Sequence, residues 1–588
     1  MQPARLQADL ARAHEAYRAG QLDQALRLAD SMIAAAPAFA PARQLAAVIA
    51  RRQGRLEDAL GHFEAALRSA PRDPHILNSY ANLLGDLGRT DAARTHYRQA
   101  LLVDPGLVDA RVNLAIAAKR AGDLAEAKVE LEEALRRAPA NARAWQALGV
   151  LQVELGDFEA AAEALDATLG LQPDNLAALR ARGHVESERG GHPAPFHARA
   201  RQLAPQDPEL ALAEALGLFK AGEPTAAEAA LEALLAADPT YVEGHVALSR
   251  IRWQAGEAED FTRSFDAALA ARPHDPGLWT GYLGVLVRAG LNAEVLEKVA
   301  AARPALGEIT DRFEAAAASE AGDLRRADAA FARVNLAVDP ALQISHLRHL
   351  LRAGRPEQVA GEALPIVGRP DGHAAWPYLA TAWRLTDQAR WNWLEGDPAL
   401  VRTLDLPITT AQLALLGEAL RRLHRSRTAP YDQTLKGGTQ TEGDLLARRE
   451  PEIRALKALL SDAITEYIAA LPARDPKHPM LSHDRSDFRF AGSWSVRLQG
   501  AGFHMNHVHT TGWISSAFYV ALPDEIGASD TAGWLTFGEP PTELGLALPP
   551  FRVVEPRPGR LALFPSTLWH GTRPFKAGER LTIAFDVR

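Results

Sequence analysis

The chain of 588 residues contains no cysteine. This absence excludes disulfide bonds, thiolate catalysis and cysteine-ligated metal sites, so any metal would need histidine, aspartate or glutamate ligands. Basic residues are not in excess either, because 65 Lys and Arg face 73 Asp and Glu for a net charge of −8. Nucleic-acid-binding proteins usually carry a basic face, and the composition therefore argues against a nucleic-acid partner.

Long apolar runs are also missing. No stretch approaches the roughly eighteen uninterrupted apolar residues of a transmembrane helix, and residues 1–20 carry charges at helical spacing instead of the apolar core of a signal peptide. We therefore expect a cytoplasmic protein with no membrane partner. The length exceeds what one hydrophobic core can organise, so several domains or a repeat array are expected.

Repetition dominates the first 360 residues, where three residue types recur every 34 positions. The recurring residues are Pro37, Pro71, Pro105, Pro139 and Pro173; Gly20, Gly54, Gly88, Gly122, Gly156 and Gly190; and Ala25, Ala59, Ala93, Ala127 and Ala161. The register then drifts by a few residues but persists through Gly222, Gly256, Gly290, Gly322 and Gly354.

These residues predict one helical hairpin per repeat. Glycine permits the turn between the two helices, alanine lets the helices approach closely, and proline ends the second helix. The 34-residue period and the positions of its glycine, alanine and proline residues resemble the tetratricopeptide repeat. We expect about ten repeats over residues 1–356, forming an all-α superhelix whose concave face holds a protein or peptide partner.

The repeat pattern decays after Gly354, and residues 357–425 are predicted to be a helical junction. Helices are predicted at Thr410–Arg425 and Glu450–Leu471, with a polar loop at Ala429–Gly443 between them. A loop of that length is often functional. A last domain is predicted over residues 426–588.

From Asp487 the apolar period changes to two, which is typical of β-strands. Strands are predicted at Phe488–Ala491, Ser493–Gln499, Ile514–Leu522, Trp534–Phe537, Arg552–Val554, Arg560–Phe564 and Leu581–Val587. So many short strands over about 486–588 indicate a sandwich or jelly-roll barrel able to hold one small ligand. The predicted fold class is therefore multidomain α + β, with helical repeats followed by a jelly-roll domain with flanking helices.

Three histidines indicate a metal site in this domain. His507 and His509 stand two apart and so point to the same face of a strand. His570 comes from a distant part of the domain and can complete the site. Neutral imidazole suits iron, copper, nickel or zinc, and we therefore predict His507, His509 and His570 as metal ligands.

Side chains near the histidines indicate a site for a small acid. Alternation places Arg580 and Thr582 on one face of the last strand, and arginine offers a planar fork for a carboxylate. Ser515, Ala517 and Tyr519 share a face of another strand, where small residues leave a pocket and the tyrosine supplies a donor. Arg580, Thr582, Tyr519 and Ser515 are therefore predicted to bind a cofactor.

The motifs around these residues resemble a family of iron(II)- and 2-oxoglutarate-dependent oxygenases found behind tetratricopeptide arrays in bacteria. The likeness is carried by Ser493–Gln499, Asn506–Ser516, Gly559–Leu561, Phe564–Ser566, Trp569–Thr572 and Arg580–Asp586, and upstream by the Gln433–Thr441 loop.

This resemblance implies a double-stranded β-helix fold. It also implies iron(II) ligation by His507 and His570, and 2-oxoglutarate held by Arg580 and touched by Tyr519. The implied activity couples oxidative decarboxylation of 2-oxoglutarate to hydroxylation of a C–H bond. With a repeat array attached, the expected substrate is a protein or peptide, and no catalytic residue is predicted beyond the metal centre.

One position departs from the better-known relatives, which have Asp or Glu where this chain has His509. The departure leaves either a three-histidine site or a carboxylate supplied by Asp524, Glu539 or Asp586. His504 lies three residues before His507, on the opposite face by strict alternation. It is therefore not predicted as a ligand, although it could orient one.

Two other functions remain open from the sequence. In one, the repeats act as a non-enzymatic scaffold and the barrel is a degenerate cupin-like module. In the other, a three-histidine metal enzyme acts on a small molecule without consuming 2-oxoglutarate.

Overall fold

A computed structural model describes residues 3–510, 512–524, 526 and 531–588. The chain forms two compact units, Met1–Arg182 and Gly183–Arg588. The first unit is helical and contains α1 Pro3–Arg18, α2 Leu22–Ala35, α3 Ala40–Arg52, α4 Leu56–Ser69, α5 Pro74–Asp86, α6 Thr90–Val103, α7 Val108–Arg120, α8 Leu124–Arg137, α9 Ala142–Leu155, α10 Phe158–Leu171 and the first part of α11 Leu176–Glu188.

The turns of the first unit confirm the repeat chemistry. The glycine between the two helices of each hairpin has φ between 73° and 79°, a left-handed conformation that favours glycine. The recurring alanine of each repeat is fully buried between the paired helices. The tetratricopeptide pattern is thus built as the 34-residue period predicts.

The second unit begins with further helices of the same kind. These are α12 Ala194–Leu203, α13 Pro208–Ala221, α14 Pro224–Ala237, α15 Val242–Gln254, α16 Arg263–Ala271, α17 Pro276–Arg288, α18 Asn292–Leu306, α19 Ile309–Glu320, α20 Leu324–Phe331, α21 Pro340–Arg352 and α22 Pro356–Val367. The junction and the β-domain add α23 Trp376–Thr386, α24 Gln388–Glu395, α25 Thr410–Leu423 and α26 Pro451–Ala470. Short 3-10 turns lie at Leu336–Val338, Gly372–Ala375, Pro398–Leu400, Leu445–Ala447 and Thr542–Leu544.

The β-domain is one antiparallel sheet that curls into a barrel-like fold. Its strands are β1 Arg402–Asp405, β2 Leu435–Gln440, β3 Phe490–His507, β4 Ile514–Ala521, β5 Leu535–Phe537, β6 Arg552–Val554, β7 Arg560–Pro565, β8 His570–Thr572 and β9 Glu579–Val587. Their order is β1-β7-β4-β9-β3-β8-β5-β6, and β2 pairs with β3. The predicted fold class, α + β with helical repeats before the β-domain, is confirmed. The predicted boundaries at 356 and 425 stay predictions.

The prediction of a loop at Ala429–Gly443 is wrong for its centre, where β2 forms. Its residues carry no period-two apolar pattern, because β2 lies beside β3 with mostly polar and glycine residues. The four-residue strand β1 and the three-residue strand β8 were also not predicted.

The two faces of the sheet have different partners. Leu581, Ile583 and Phe585 of β9 belong to a core with α25 and α26. A second core lies on the inner face and includes Phe537 and Phe564. The polar residues predicted for the site alternate with the outer core residues, and so they face inward.

Aromatic residues pack the junction against the β-domain. Trp391 of α24 contacts Phe551 edge-on, with ring centroids 5.2 Å apart. Trp569, next to His570, packs edge-on against Tyr378 of α23 at 5.6 Å and donates its indole N–H to Thr381 Oγ1 at 2.9 Å. The strand carrying His570 is thereby anchored to a helix outside the barrel.

Replacing Trp569 by alanine is expected to lower the stability of the β-domain. Trp569 is 3% exposed, and truncating a buried tryptophan costs about 3–5 kcal/mol. The measurement is the urea midpoint of the transition assigned to the β-domain. Trp393→Ala, at a position that is 38% exposed, should shift this midpoint clearly less, and equal shifts would contradict the packing described.

Residues 425–449, here called the docking segment, join the β-domain to repeat helices of the second unit. Trp253 of α15 donates its indole N–H to the carbonyl of Ala429 at 3.0 Å. Arg250 forms an ion pair with Glu442 at 2.5 Å. Because β2 lies inside this segment and pairs with β3, the same stretch contacts both the repeats and the strand that ends at His507.

Within the described part of the chain, no helix is both long and apolar enough to cross a membrane. The cytoplasmic location stays a prediction.

Candidate metal centre

Strand pairing brings the three predicted histidines together. His507 ends β3 and lies directly opposite His570 at the start of β8. His509 follows two residues after β3. The ring centroids of the three residues are 4.3–5.1 Å apart, and one nitrogen from each ring lies within 4.8 Å of the other two.

Hydrogen bonds show which nitrogen of each ring is free. The Nδ1 of His507 lies 2.8 Å from the carbonyl of Met505, and the Nδ1 of His570 lies 2.9 Å from the carbonyl of Leu568. The Nδ1 of His509 lies 2.7 Å from a carboxylate oxygen of Asp586. These oxygens are acceptors, so each Nδ1 carries the hydrogen and each Nε2 keeps a lone pair.

The free nitrogens are spaced as metal ligands would be. The Nε2 atoms of His507 and His509 are 3.1 Å apart. Two ligand nitrogens about 2.1 Å from one ion and at about a right angle to each other have nearly this separation. The donor set therefore fits one transition-metal ion bound through Nε2 atoms.

Burial keeps the imidazoles of His507 and His570 neutral. Burial, helped by the neighbouring His509, lowers the pKa of His507 to about 3. Burial also lowers the pKa of His570 well below its ordinary value, with His507 as the next contributor. Neutral imidazole is the form that binds a metal, so His507 and His570 need no deprotonation near neutral pH.

Asp586 lies behind His509 and orients its ring. Its carboxylate accepts hydrogen bonds from His509 Nδ1 and, at 2.6 Å, from the hydroxyl of Ser515. Among the described residues, the metal-capable cluster consists of the three histidines and includes neither Asp524 nor Glu539. The geometry therefore favours the three-histidine alternative.

Asp586→Asn is expected to weaken metal binding about 10- to 100-fold, as is usual when a carboxylate that orients a metal-bound histidine is changed. A chelator competition with iron(II) measures the affinity. Asp405→Asn, which breaks a pair with Arg560 on another strand, should leave it unchanged. Complete loss of binding would instead indicate that Asp586 is itself a ligand.

Arg580 is a buried cation without a carboxylate partner among the described residues. It is 2% exposed, and its guanidinium carbon lies 5.2 Å from the centre of the Tyr519 ring. By hydrogen-bond geometry, Arg580 Nε and the Tyr519 hydroxyl both lack partners in the described part of the chain. Burial raises the pKa of Tyr519, which keeps its hydroxyl protonated. Unsatisfied buried donors are costly, and a ligand carboxylate would satisfy both.

The family comparison agrees with this geometry. Residues 492–586 match the family described as "Putative 2OG-Fe(II) oxygenase". The C-terminal β-domain thus contains a region similar to this family, and we refer to it as the oxygenase-family domain. Upstream, tetratricopeptide repeat families match residues 10–74, 81–127, 118–183 and 218–282. The Gln433–Thr441 segment lies outside the matched range of the oxygenase-family domain.

Solved structures similar to this chain include tetratricopeptide proteins. YrrB, described as having "an unusual peptide-binding site", is 23% identical over 30% of this chain and 90% of its own, with a TM-score of 0.26. PilF of Pseudomonas aeruginosa is 19% identical over 35% and 94%, with a TM-score of 0.33. A repeat protein of Cytophaga hutchinsonii is 16% identical over 41% and 99%, also at 0.33. No curated protein matches the chain.

The remaining predicted cofactor residues lie on the inner face of the oxygenase-family domain. Thr582 is buried and lies opposite Tyr519 and Val496. The Ser515 hydroxyl contacts Asp586 and, at 3.0 Å, Ser566. Ser515 thus supports the carboxylate behind His509, and its contact with a cofactor stays a prediction, as does that of Thr582.

The placement of His504 on the opposite face is wrong. The pairing of β3 with β8 shifts by one residue between His504 and His507, and a bulge of this kind reverses the alternation of side chains. The rings of His504 and His507 meet edge-on at 5.5 Å. The only sequence signal of an irregular strand is Gly500 and Gly502, which flank Ala501 with its positive φ of 61°.

Proposed function

We propose that this protein is an iron(II)- and 2-oxoglutarate-dependent dioxygenase that hydroxylates a protein or peptide recruited by its repeats. One observation carries the proposal. Three imidazoles bring their Nε2 atoms together in the same barrel interior where Arg580 and Tyr519 present unpaired donors.

Two separate groups of residues would bind the metal and the acid. His507, His509 and His570 would occupy one face of the ion and leave its other positions open, as oxygen-activating iron sites require. Arg580 would hold the far carboxylate of 2-oxoglutarate through its planar fork, and Tyr519 would donate to it. Bound iron(II) and 2-oxoglutarate supply oxidative decarboxylation coupled to C–H hydroxylation.

The position of Asp586 supports iron(II) as the bound metal, although the three candidate ligands include no carboxylate. A third histidine makes the ligand set one negative charge poorer than two histidines and a carboxylate. The carboxylate of Asp586 does not reach the ligand position itself but accepts a hydrogen bond from the Nδ1–H of His509 at 2.7 Å. A carboxylate in this position raises the basicity of the imidazole and so returns part of the lost negative charge to the metal.

The repeats support a macromolecular substrate. Tetratricopeptide arrays offer extended surfaces for peptides and proteins. In the second unit, Trp253 and Arg250 of the repeats contact the docking segment, so the repeats and the oxygenase-family domain are linked by more than chain connectivity.

Succinate formation tests the activity. The pure protein is incubated with iron(II), ascorbate, oxygen and 2-oxoglutarate, with and without a cell lysate as a source of substrate. We expect succinate from the wild type, more of it with lysate, and none from His570→Ala. The absence of succinate under both conditions, with no difference between the two proteins, would contradict the proposal.

A second candidate is a three-histidine enzyme acting on a small molecule, which the all-histidine donor set favours. It predicts tight metal binding without any 2-oxoglutarate turnover. The scaffold alternative predicts no metal and no change in melting temperature with iron(II) and 2-oxoglutarate together.

A further inference from the structure

His504 is a fourth imidazole of the site. It is neither one of the three candidate metal ligands nor hydrogen-bonded to any of them. Its ring is half-buried, and no described residue forms a hydrogen bond with its nitrogens. It also lies outside the group of converging ligand nitrogens. The β3 bulge nevertheless turns this ring toward the ligand histidines instead of away from them.

The neighbours of His504 belong to both halves of the site. Its ring contacts His507 edge-on at 5.5 Å. The charge of Arg580 also acts on it, as do His507 and His509. On the neighbouring strands, Thr572 of β8 and Leu435 of β2 lie opposite it. His504 is thus within electrostatic reach of both the metal-ligand cluster and the acid-binding arginine.

A diacid bound both to the metal and to Arg580 would lie near His504, because His504 is close to both groups. We propose that His504 donates a ring N–H to the metal-side carboxylate of 2-oxoglutarate and so helps to fix the orientation of the acid. This inference rests on the proposed function. It makes His504 a co-substrate contact, distinct both from a fourth metal ligand and from a spacer that only packs against His507.

A matched pair of variants separates these roles. His504→Gln keeps an N–H donor but loses the ring, whereas His504→Phe keeps a ring but loses the donor. The dissociation constant of 2-oxoglutarate is measured by calorimetry on iron(II)-loaded protein without oxygen, and iron(II) affinity is measured separately by chelator competition.

A donor role predicts that His504→Phe weakens 2-oxoglutarate binding about 10- to 100-fold, the usual loss for a hydrogen bond to a charged group. His504→Gln should retain most of the affinity, and iron(II) affinity should stay within about twofold of wild type in both. If the phenylalanine variant does not fold, His504→Asn and His504→Leu provide a second pair with and without a donor.

The following results would overturn the inference. If the donor-free variants bind 2-oxoglutarate with wild-type affinity, His504 does not donate a hydrogen bond to the acid. Retained affinity in His504→Phe with a loss in His504→Gln would show that only ring packing matters, and a loss of iron(II) affinity in both would make His504 a ligand. If the iron-loaded wild type binds no 2-oxoglutarate, the proposed function fails together with this inference.

Discussion

His570→Ala is expected to lower the iron(II) affinity by at least about 100-fold and to abolish succinate formation. Changes behind a ligand already cost about 10- to 100-fold, so loss of a ligand itself should cost more. His570 is the ligand most firmly fixed by the fold, because it pairs across strands with His507 and its neighbour Trp569 is anchored to α23.

Metal content after dialysis and a chelator competition measure this effect. His75→Ala is the control, because His75 is an exposed histidine at the start of α5. It should retain wild-type metal content and turnover. Equal iron(II) affinity of His570→Ala and His75→Ala would show that the cluster does not hold the metal.

Arg580→Gln is expected to remove most 2-oxoglutarate binding while leaving iron(II) affinity near wild type. Truncating one partner of a buried, hydrogen-bonded charge pair costs about 2–5 kcal/mol, which corresponds to roughly 30- to 4,000-fold in affinity. Arg580 is buried and has no carboxylate partner among the described residues, so the charge is available for the acid. Arg580→Lys should fall between, because it keeps the charge but loses the planar fork.

Calorimetry with 2-oxoglutarate on the iron-loaded variants checks this prediction. Arg497→Gln is the matched control, since Arg497 pairs with Glu579 at 2.6 Å and lies opposite Leu581 of the outer core. It should bind 2-oxoglutarate as the wild type does. Unchanged affinity in Arg580→Gln would mean that the acid is held elsewhere or not at all.

The helical repeats were predictable because their signals are local. Each hairpin has a glycine at its turn, an alanine where its helices pack closely and a proline after its second helix. Each of these residues meets a local requirement of the backbone, so the pattern can be recognised from positions close together in the sequence. The left-handed φ of Gly54 and the complete burial of Ala59 are the structural counterparts of these two signals.

The site was predictable only in part. Alternation correctly grouped Arg580 with Thr582, because β9 is regular. It failed for His504, where one bulged residue reverses the face. The support that Asp586 gives to His509 connects residues 77 positions apart, and no spacing rule in the sequence reports such a contact.

The docking segment is a part of the fold that could likewise not be predicted from the sequence. Its strand β2 is short, polar and rich in glycine. The segment contacts the repeats through scattered hydrogen bonds and ion pairs, such as Trp253 with Ala429, and through the packing of Tyr431 against Phe261. These contacts depend on the assembled tertiary structure, so neither apolar periodicity nor helix signals indicate them in advance.

The most direct test of the metal centre is anomalous diffraction at the iron absorption edge from crystals prepared with iron(II) in the absence of oxygen. We predict one peak about 2.1 Å from the Nε2 atoms of His507, His509 and His570, with Asp586 still bound to His509 Nδ1. No peak at this position, or a peak coordinated by Asp586 in place of His509, would contradict the three-histidine site.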